Sequence, residues 1–399
     1  MSAERSVVVT GVGVLSAFGR GMAELATGLR EGRSALAAPR AFDPGGLEFT
    51  VAAEVRTPLS VPPGFEDDRK AAMALLAARD AVGTVDMSGA GVYLGTGLSS
   101  VTPRELEQDA APYRRDGGFD RAALHRDLAS DRVAPNRHLP ERTTALLADS
   151  LGARGPQLTS FSACAAGALG IAHAFRAIRR GELDRALAGG MDAMIHPLGV
   201  LSFLVLGALS PGTCRPFDRN RSGFVIGEGA AMLLLEEESV ARARGAHILA
   251  RVLGAGSSVD AYNVTAPHPE GKGAELSMRR ALKDAGLDRV DHVNAHGTGT
   301  PLGDKAEAAA ISRLLGSEVN VSSIKGAVGH CIAAAGAVEA AACIAGLAEG
   351  WSPGTALCES VDDLGVRVQQ EPAFDAPQTM LSNSFGFGGQ NTTLIFGRA

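Results

Sequence analysis

Three stretches of this chain carry residue types whose spacing could do chemistry. The first is TSFSACAAGALGIAHAFRAIRRG, Thr159 to Gly181, where a cysteine heads a segment built otherwise from alanine, glycine and a few aliphatics. Apolar residues at Ile171, Phe175 and Ile178, basic residues near the end and a terminal glycine predict a helix. Cys164 then falls in its first turn, where free backbone N–H groups and the positive end of the dipole favour a thiolate nucleophile. On this stretch alone a buried structural cysteine is an equal alternative. The second is VNAHGTGTPLGDKAEAAAI, with His296 at the end of a short strand and exposed by a Gly/Thr/Pro loop before a helix near Asp304. The third is SSIKGAVGHCIAAAGAVEA, with Lys325 and His330 five apart and His330 leading a second alanine-rich helix. A histidine at that position is expected to stay neutral and to donate a hydrogen bond, which suits an electrophile stabilising an enolate oxygen. His125, His138, His173, His196, His247, His268 and His292 read as structural. Near the end, NSFGFGGQNTTLIFGRA offers glycines at 386, 388 and 389 that free the backbone to aim the Phe387 N–H into a cleft; a glycine-rich hairpin packing its phenylalanines in the core is the alternative.

The elements that must position these groups repeat. PQLTSFSACAAGALGIAHAFRAIRRG and VNVSSIKGAVGHCIAAAGAVEAAACIAGLAEG share a plan of short strand, Ser/Thr-rich turn and small-residue helix, ending at Gly181 and Gly350. Helices faced with Ala and Gly permit close backbone approach, so the two are natural partners at the centre of a pseudo-symmetric molecule, coincidence in an alanine-rich chain being the other reading. The halves divide near Gly245, giving residues 1–245, which hold the cysteine, and 246–399, which hold the histidines. The opening reads as a strand over Ser6–Thr10, a glycine turn and a helix through Leu29. Its TGVGVLSAFG tempts a dinucleotide-loop reading, but Ser16 stands at the third glycine position. A short-chain dehydrogenase is disfavoured as well, because Gly97, Gly117 and Ala266, not lysines, follow the three tyrosines by four residues.

Composition narrows the class. In 399 residues, 45% hydrophobic and 21% charged residues with 50 glycines describe a folded α/β chain rather than a disordered one. A formal net charge of -6 argues against general nucleic-acid binding. The five cysteines are scattered and form no C-x-x-C pair, so reduced thiols and neither disulfides nor zinc are expected. The N-terminus lacks a signal-peptide pattern, and no apolar run reaches the ~20 residues of a membrane span, so the expected location is cytoplasmic and no membrane partner is expected.

Together, SACAAG around Cys164, NAHGTGTPLGD around His296, IKGAVGH with Lys325 and His330, and NSFGFGG near the end resemble the β-ketoacyl-[acyl-carrier-protein] synthases of the elongating type. The likeness extends to RSVVVTGVGVLS, CRPFDRNRSGFVIGEGAAMLLLEE and SVDAYNVTAPHPEG and so spans nearly the whole chain. It implies an α/β, thiolase-like, five-layered αβαβα fold of two pseudo-symmetric halves, and a Cys-His-His set. By resemblance, Cys164 takes an acyl group from a carrier protein, and the N–H groups of Cys164 and Phe387 form an oxyanion hole. His296 and His330 polarise the malonyl thioester. Lys325 is counted with the catalytic set and pairs with Glu339. Thr298, Thr300, Phe385 and Glu339 are grouped as substrate-binding, and Asn294, Glu339 and Ser384 match positions around a structural monovalent cation in some relatives. No redox cofactor or catalytic metal is implied. The implied partners are an acyl carrier protein and a second copy, or a second ketosynthase-like subunit; Arg69 and Lys70 are the expected basic docking residues. Gln390, Cys331 and the short ALSPGTCRPFD connection depart from the common fatty-acid pattern, which leaves fatty acid and type II polyketide or polyene elongation both open. A silent, chain-length-factor-like partner or scaffold subunit is the alternative to an active enzyme, and such partners lack the cysteine.

Overall fold

The valine-rich opening strand runs through its glycines instead of turning at them. In the computed structural model, which describes residues 5–65, 68–97, 103–130 and 139–399, the strand spans Val7–Ser16 and the following helix Met22–Arg30. Gly11 and Gly13 are there because the helix Arg69–Val82 crosses directly above them: a Cβ on either would stand 1.9 Å from the carbonyl oxygen of Ala81 or Ala77. The expected glycine turn is thus corrected to a close strand–helix crossing, which a single sequence cannot distinguish from a loop.

Among the described residues that strand is central in a 12-stranded mixed sheet, and the short strand Gly19–Arg20 pairs with its end. On one side of it follow Gly229–Glu237, Arg185–Asp192, Gly91–Thr96 and Gln157–Ser160; on the other, Ala250–Val259, Gln390–Arg398, Thr379–Gly386, His292–Asn294, Asn320–Ser322 and Arg367–Val368. The two wings join where Val7, Val8 and Val9 pair with Val252, Arg251 and Ala250. Outside one wing lies Arg69–Val82, and outside the other Lys272–Ala285. Between the wings, Ala166–Arg179 and Ala335–Glu349 pack on each other and on strands of both. Helix, sheet, helix pair, sheet and helix make five layers. The segment Ile332–Glu349 is long and apolar enough to cross a membrane, but it is buried in that central layer.

Both central helices begin the same way, each from a 3₁₀ turn, Ala163–Ala165 or Ile332–Ala334, whose first residue has positive φ: 45° at Ala163 and 47° at Ile332. Gly167 and Gly336, one turn further on, let the helices touch: a Cβ on Gly167 would stand 2.8 Å from the Ala333 carbonyl oxygen, and one on Gly336 2.7 Å from Ala168 Cβ. Gly167→Ala should therefore cost about 1–3 kcal/mol, as overpacking does, read as a lower midpoint in urea at unchanged slope. A variant as stable as the parent would show that the contact can relax.

Candidate active site

Cys164 stands in the 3₁₀ turn that leads the first central helix, one residue after the strained Ala163. This is slightly earlier than a place in the α-helix itself, and it aims the thiol out of the layer. The Phe387 N–H points at the thiol from the tight turn between Thr379–Gly386 and Gln390–Arg398, where Gly388 and Gly389 take φ of 82° and 73°. His330, paired with Ile226, stands two residues ahead of the 3₁₀ turn that leads the second central helix, and its Nε2 is 3.1 Å from Cys164 Sγ. The His296 ring is edge-on to it, with centroids 5.3 Å apart.

Hydrogen-bond partners assign the tautomers of both rings. His330 Nδ1 accepts the Ile332 N–H at 3.3 Å, so its proton sits on Nε2. Lys325 Nζ lies 3.4 Å from His296 Nδ1 and also donates to the His296 carbonyl and to Glu339 Oε1; with Nδ1 facing a donor, His296 likewise carries its proton on Nε2. Burial holds both imidazoles well below their ordinary pKa, and the Lys325 charge adds to the effect. The site therefore presents two neutral N–H donors beside a thiol.

Burial also pushes the Cys164 thiol up to about 12, against the opposing influence of Lys325 and the Phe387 N–H. This corrects the dipole-based expectation of a resting thiolate, because desolvation of a buried charge outweighs the turn's partial charges. Alkylation of Cys164 by iodoacetamide should accordingly climb about tenfold per pH unit between about pH 6 and pH 9, because only the thiolate reacts. A plateau below about pH 8 would show that the thiol is activated at rest.

Lys325 and Glu339, grouped in the sequence reading with the catalytic and substrate-binding residues, lie behind the site: both are fully buried, bonded to each other, and neither lines the cavity. Lys325 reaches the cavity only through its contacts with His296. Burial raises Glu339 to about 7 even beside Lys325. Two further carboxylates had no assigned role in the sequence reading. Glu307 accepts the His296 and Gly297 N–H groups at 2.8 Å and an Asn383 Nδ2–H at 3.0 Å. Asp304 accepts from Gly299 N at 3.0 Å and Phe217 N at 2.7 Å, and burial lifts it to about 7. Both lie on the buried face of the helix Pro301–Leu315. The quoted spacing DKAE, with two acids three apart on a helix after a glycine loop, was the available signal. Asp192, fully buried, accepts the Ala333 N–H at 3.1 Å and so ties down the turn that carries His330.

A cavity of about 400 Å³ opens onto these groups, lined by Cys164, His296, His330, Phe385, Phe387, Thr298 and Thr300. The two threonine hydroxyls are 3.0 Å apart, and Thr300 caps the helix by accepting from Gly303 N. Phe203 and Phe224, unremarked in the sequence, close the apolar side, with the Phe224 ring edge-on to His330 at 4.9 Å. Elsewhere Asn294 Oδ1 and Glu339 Oε2 are buried without a hydrogen-bond partner among the described residues, and the Ser384 hydroxyl beside Glu339 makes no well-formed hydrogen bond. All three atoms are oxygens, the donor type that hard cations take. Of the histidines read as structural, His196 caps a helix and His292 bonds Ser322, while His138 lies outside the described residues.

Comparison with known proteins gives consistent matches. Residues 4–241 match the family described as Beta-ketoacyl synthase, N-terminal domain, and residues 249–359 match Beta-ketoacyl synthase, C-terminal domain. The chain is 34% identical to 3-oxoacyl-[acyl-carrier-protein] synthase 2 of Synechocystis sp., over 98% of each chain. It is 36% identical to Nodulation protein E of Rhizobium meliloti, covering 98% of this chain and 99% of that one. Among solved structures, the ishigamide ketosynthase/chain length factor superposes with a TM-score of 0.86 at 33% identity over 100% of both chains. A type II PKS ketosynthase in complex with its acyl-carrier protein gives 0.87 at 26% identity, over 99% of this chain and 100% of that one.

Proposed function

This chain belongs to the β-ketoacyl synthase family and is a condensing acyltransferase; from that premise we propose how its own residues divide the reaction. In the first half, Cys164 Sγ attacks the thioester carbonyl of an acyl group borne on a carrier-protein pantetheine. The C–S bond to pantetheine breaks, and the thiol proton of Cys164 leaves with the pantetheine sulfur. The Cys164 and Phe387 N–H groups receive the tetrahedral oxyanion, a task that rewards donors fixed before the charge develops. In the second half, the Nε2–H groups of His296 and His330 donate to the malonyl thioester oxygen. Carbon dioxide departs, and the enolate carbon attacks the acyl carbonyl on Cys164. The Cys164 thiolate is expelled and regains a proton from solvent. Thr298 and Thr300 contact the pantetheine arm, and Phe385 and Phe387 cover the reacting carbons.

The observation that carries this reading is the Cys164–His330 contact of 3.1 Å, with the proton of His330 on the nitrogen facing the sulfur. It also counts against a silent partner, since nucleophile and both donors are present in one cavity. The product would extend a fatty acyl or a type II polyketide or polyene chain. Asn294, Glu339 and Ser384 would hold a structural monovalent cation, which contributes local charge balance. The active form is a dimer with a second copy or a ketosynthase-like subunit, working in the cytoplasm, a setting supported by five free cysteines. The division into residues 1–245 and 246–399 belongs to the same reading. Incubation with a panel of acyl carrier proteins followed by intact-mass and peptide analysis tests it. An acyl adduct on Cys164 is expected from at least one donor, and an unmodified cysteine with every donor overturns it.

A further inference from the structure

The backbone of His330 is held by an extended segment distant in the chain. The His330 N–H donates to the Val225 carbonyl at 2.8 Å, and the Gly227 N–H donates to the His330 carbonyl at 2.9 Å. That segment pairs on its far side with residues 53–55, through the Ala53 N–H to the Ile226 carbonyl at 2.9 Å and the Glu228 N–H to the Ala53 carbonyl at 3.1 Å. Glycines bring the three rows into close contact. A Cβ on Gly227 would stand 2.6 Å from the Val328 carbonyl oxygen, and one on Gly329 2.7 Å from Ala53 Cβ. In packing this tight, a shift of the middle row is passed on to His330.

One carboxylate fastens the two supporting rows together. Glu228 is 1% exposed, and its Oε1 accepts the Val55 N–H at 3.0 Å. Arg69, the first residue of the helix Arg69–Val82, forks onto the same carboxylate. Its Nε lies 3.0 Å from both oxygens and its Nη2 2.7 Å from Oε1, and Nη2 also donates to the Val55 carbonyl. A charged fork of this kind fixes geometry as well as adding energy. Arg69 and Lys70 are the docking residues expected from the sequence. Lys70 is instead buried, its Nζ 3.0 Å from Asp68, and Arg69, with 39% of its side chain exposed, turns its fork inward to Glu228. Neither Arg69 nor Glu228 lines the cavity that holds Cys164.

We propose that Arg69 and Glu228 act together as positioning residues for His330: by clamping residues 53–55 to residues 225–228 they set where the His330 Nε2–H stands against Cys164 and the malonyl thioester. The proposal rests on the condensing reaction above. It gives Arg69 a part in decarboxylation that needs no carrier protein. Loss of the clamp displaces a donor whose placement counts on the scale of ~1 Å, where an error can lower a rate by about 10²-fold. Acylation of Cys164 does not share this dependence, because the N–H groups of Cys164 and Phe387 belong to other elements.

The test follows carbon dioxide release from malonyl-pantetheine, the thioester without a protein, and from malonyl carrier protein, together with acylation of Cys164. Arg69→Met should lower kcat for malonyl-pantetheine by about tenfold or more per folded molecule, with KM within about twofold of the parent. Release from malonyl carrier protein should fall as well, while Cys164 still becomes acylated. Arg69→Met alone strands a buried carboxylate and risks the fold, so Arg69→Met with Glu228→Gln is measured beside it. That pair removes both charges, keeps an acceptor for the Val55 N–H, and should show the same loss, since geometry and not charge is at stake. A loss confined to malonyl carrier protein overturns the proposal in favour of a docking role for Arg69. Folded variants that decarboxylate malonyl-pantetheine at the parental rate overturn it in favour of a purely structural pair, and an equal loss of acylation overturns it in favour of general disorder in the site. If the parent releases no carbon dioxide from either malonyl substrate, the condensing reading itself fails, a result distinct from the others.

Discussion

Cys164→Ala is expected to abolish condensation while carbon dioxide is still released from malonyl carrier protein. The acyl acceptor is gone, but the donors that polarise the malonyl thioester are separate groups, with His330 tied through Nδ1 to the Ile332 N–H and His296 held by Lys325 and Glu307. Neither anchor involves the thiol. His330→Ala and His296→Ala should do the reverse. Cys164 still becomes acylated, because its oxyanion donors are backbone N–H groups, but decarboxylation falls by roughly 10²-fold or more for each lost preorganised donor. Mass spectrometry of the acyl adduct and measured carbon dioxide release follow the two steps independently. A His330 variant that decarboxylates at the parental rate, or a Cys164→Ala protein that still condenses, would require a different division of labour.

Lys325→Met should have the largest effect on stability. Its ammonium group is the buried partner of Glu339, and removing one member of such a pair leaves an uncompensated charge, typically at about 3–5 kcal/mol. The loss should depend on pH with a definite sign. Burial already raises Glu339 to about 7 in the folded protein, so the folded state holds a proton that the unfolded state releases near the ordinary carboxylate value. Stability from this group therefore falls as pH rises from that value towards 7. Without Lys325 the folded value climbs further, and the decline continues to higher pH, so the variant should lose more relative to the parent at pH 8 than at pH 6. Combining Lys325→Met with Glu339→Gln should recover most of the loss and flatten the pH dependence. Decarboxylation by Lys325→Met should drop as in the His296 variant, because Nδ1 no longer faces a donor and the Nε2 proton is no longer enforced, while Cys164 acylation persists. Unfolding in urea at the two pH values, with both activity measurements, checks each part. Equal destabilisation at pH 6 and pH 8 would remove the Glu339 charge from the explanation.

The sequence by itself singled out the groups proposed to carry the chemistry and the local frames that hold them. Cys164, His296, Lys325, His330 and Phe387 each belong to a short run whose turn residues and helix periodicity are readable in place, and the repeated helix plan pointed to two packed central helices. Those signals are local: a capped helix, a glycine turn and an alanine face depend on neighbours a few residues away. Only the tertiary structure decided what surrounds each group. Gly11 and Gly13 read as a turn until the carbonyls of Ala77 and Ala81, far along the chain, are found resting on them. Lys70 reads as a surface charge at a helix start, yet the packed sheet buries it against Asp68. Glu307 and Asp304 carried no role in the sequence, but the structure makes them the supports of the His296 loop. The protonation of Cys164 turned on the same point, because a dipole at a helix start is a local quantity while desolvation is the sum of everything packed around the sulfur from both halves.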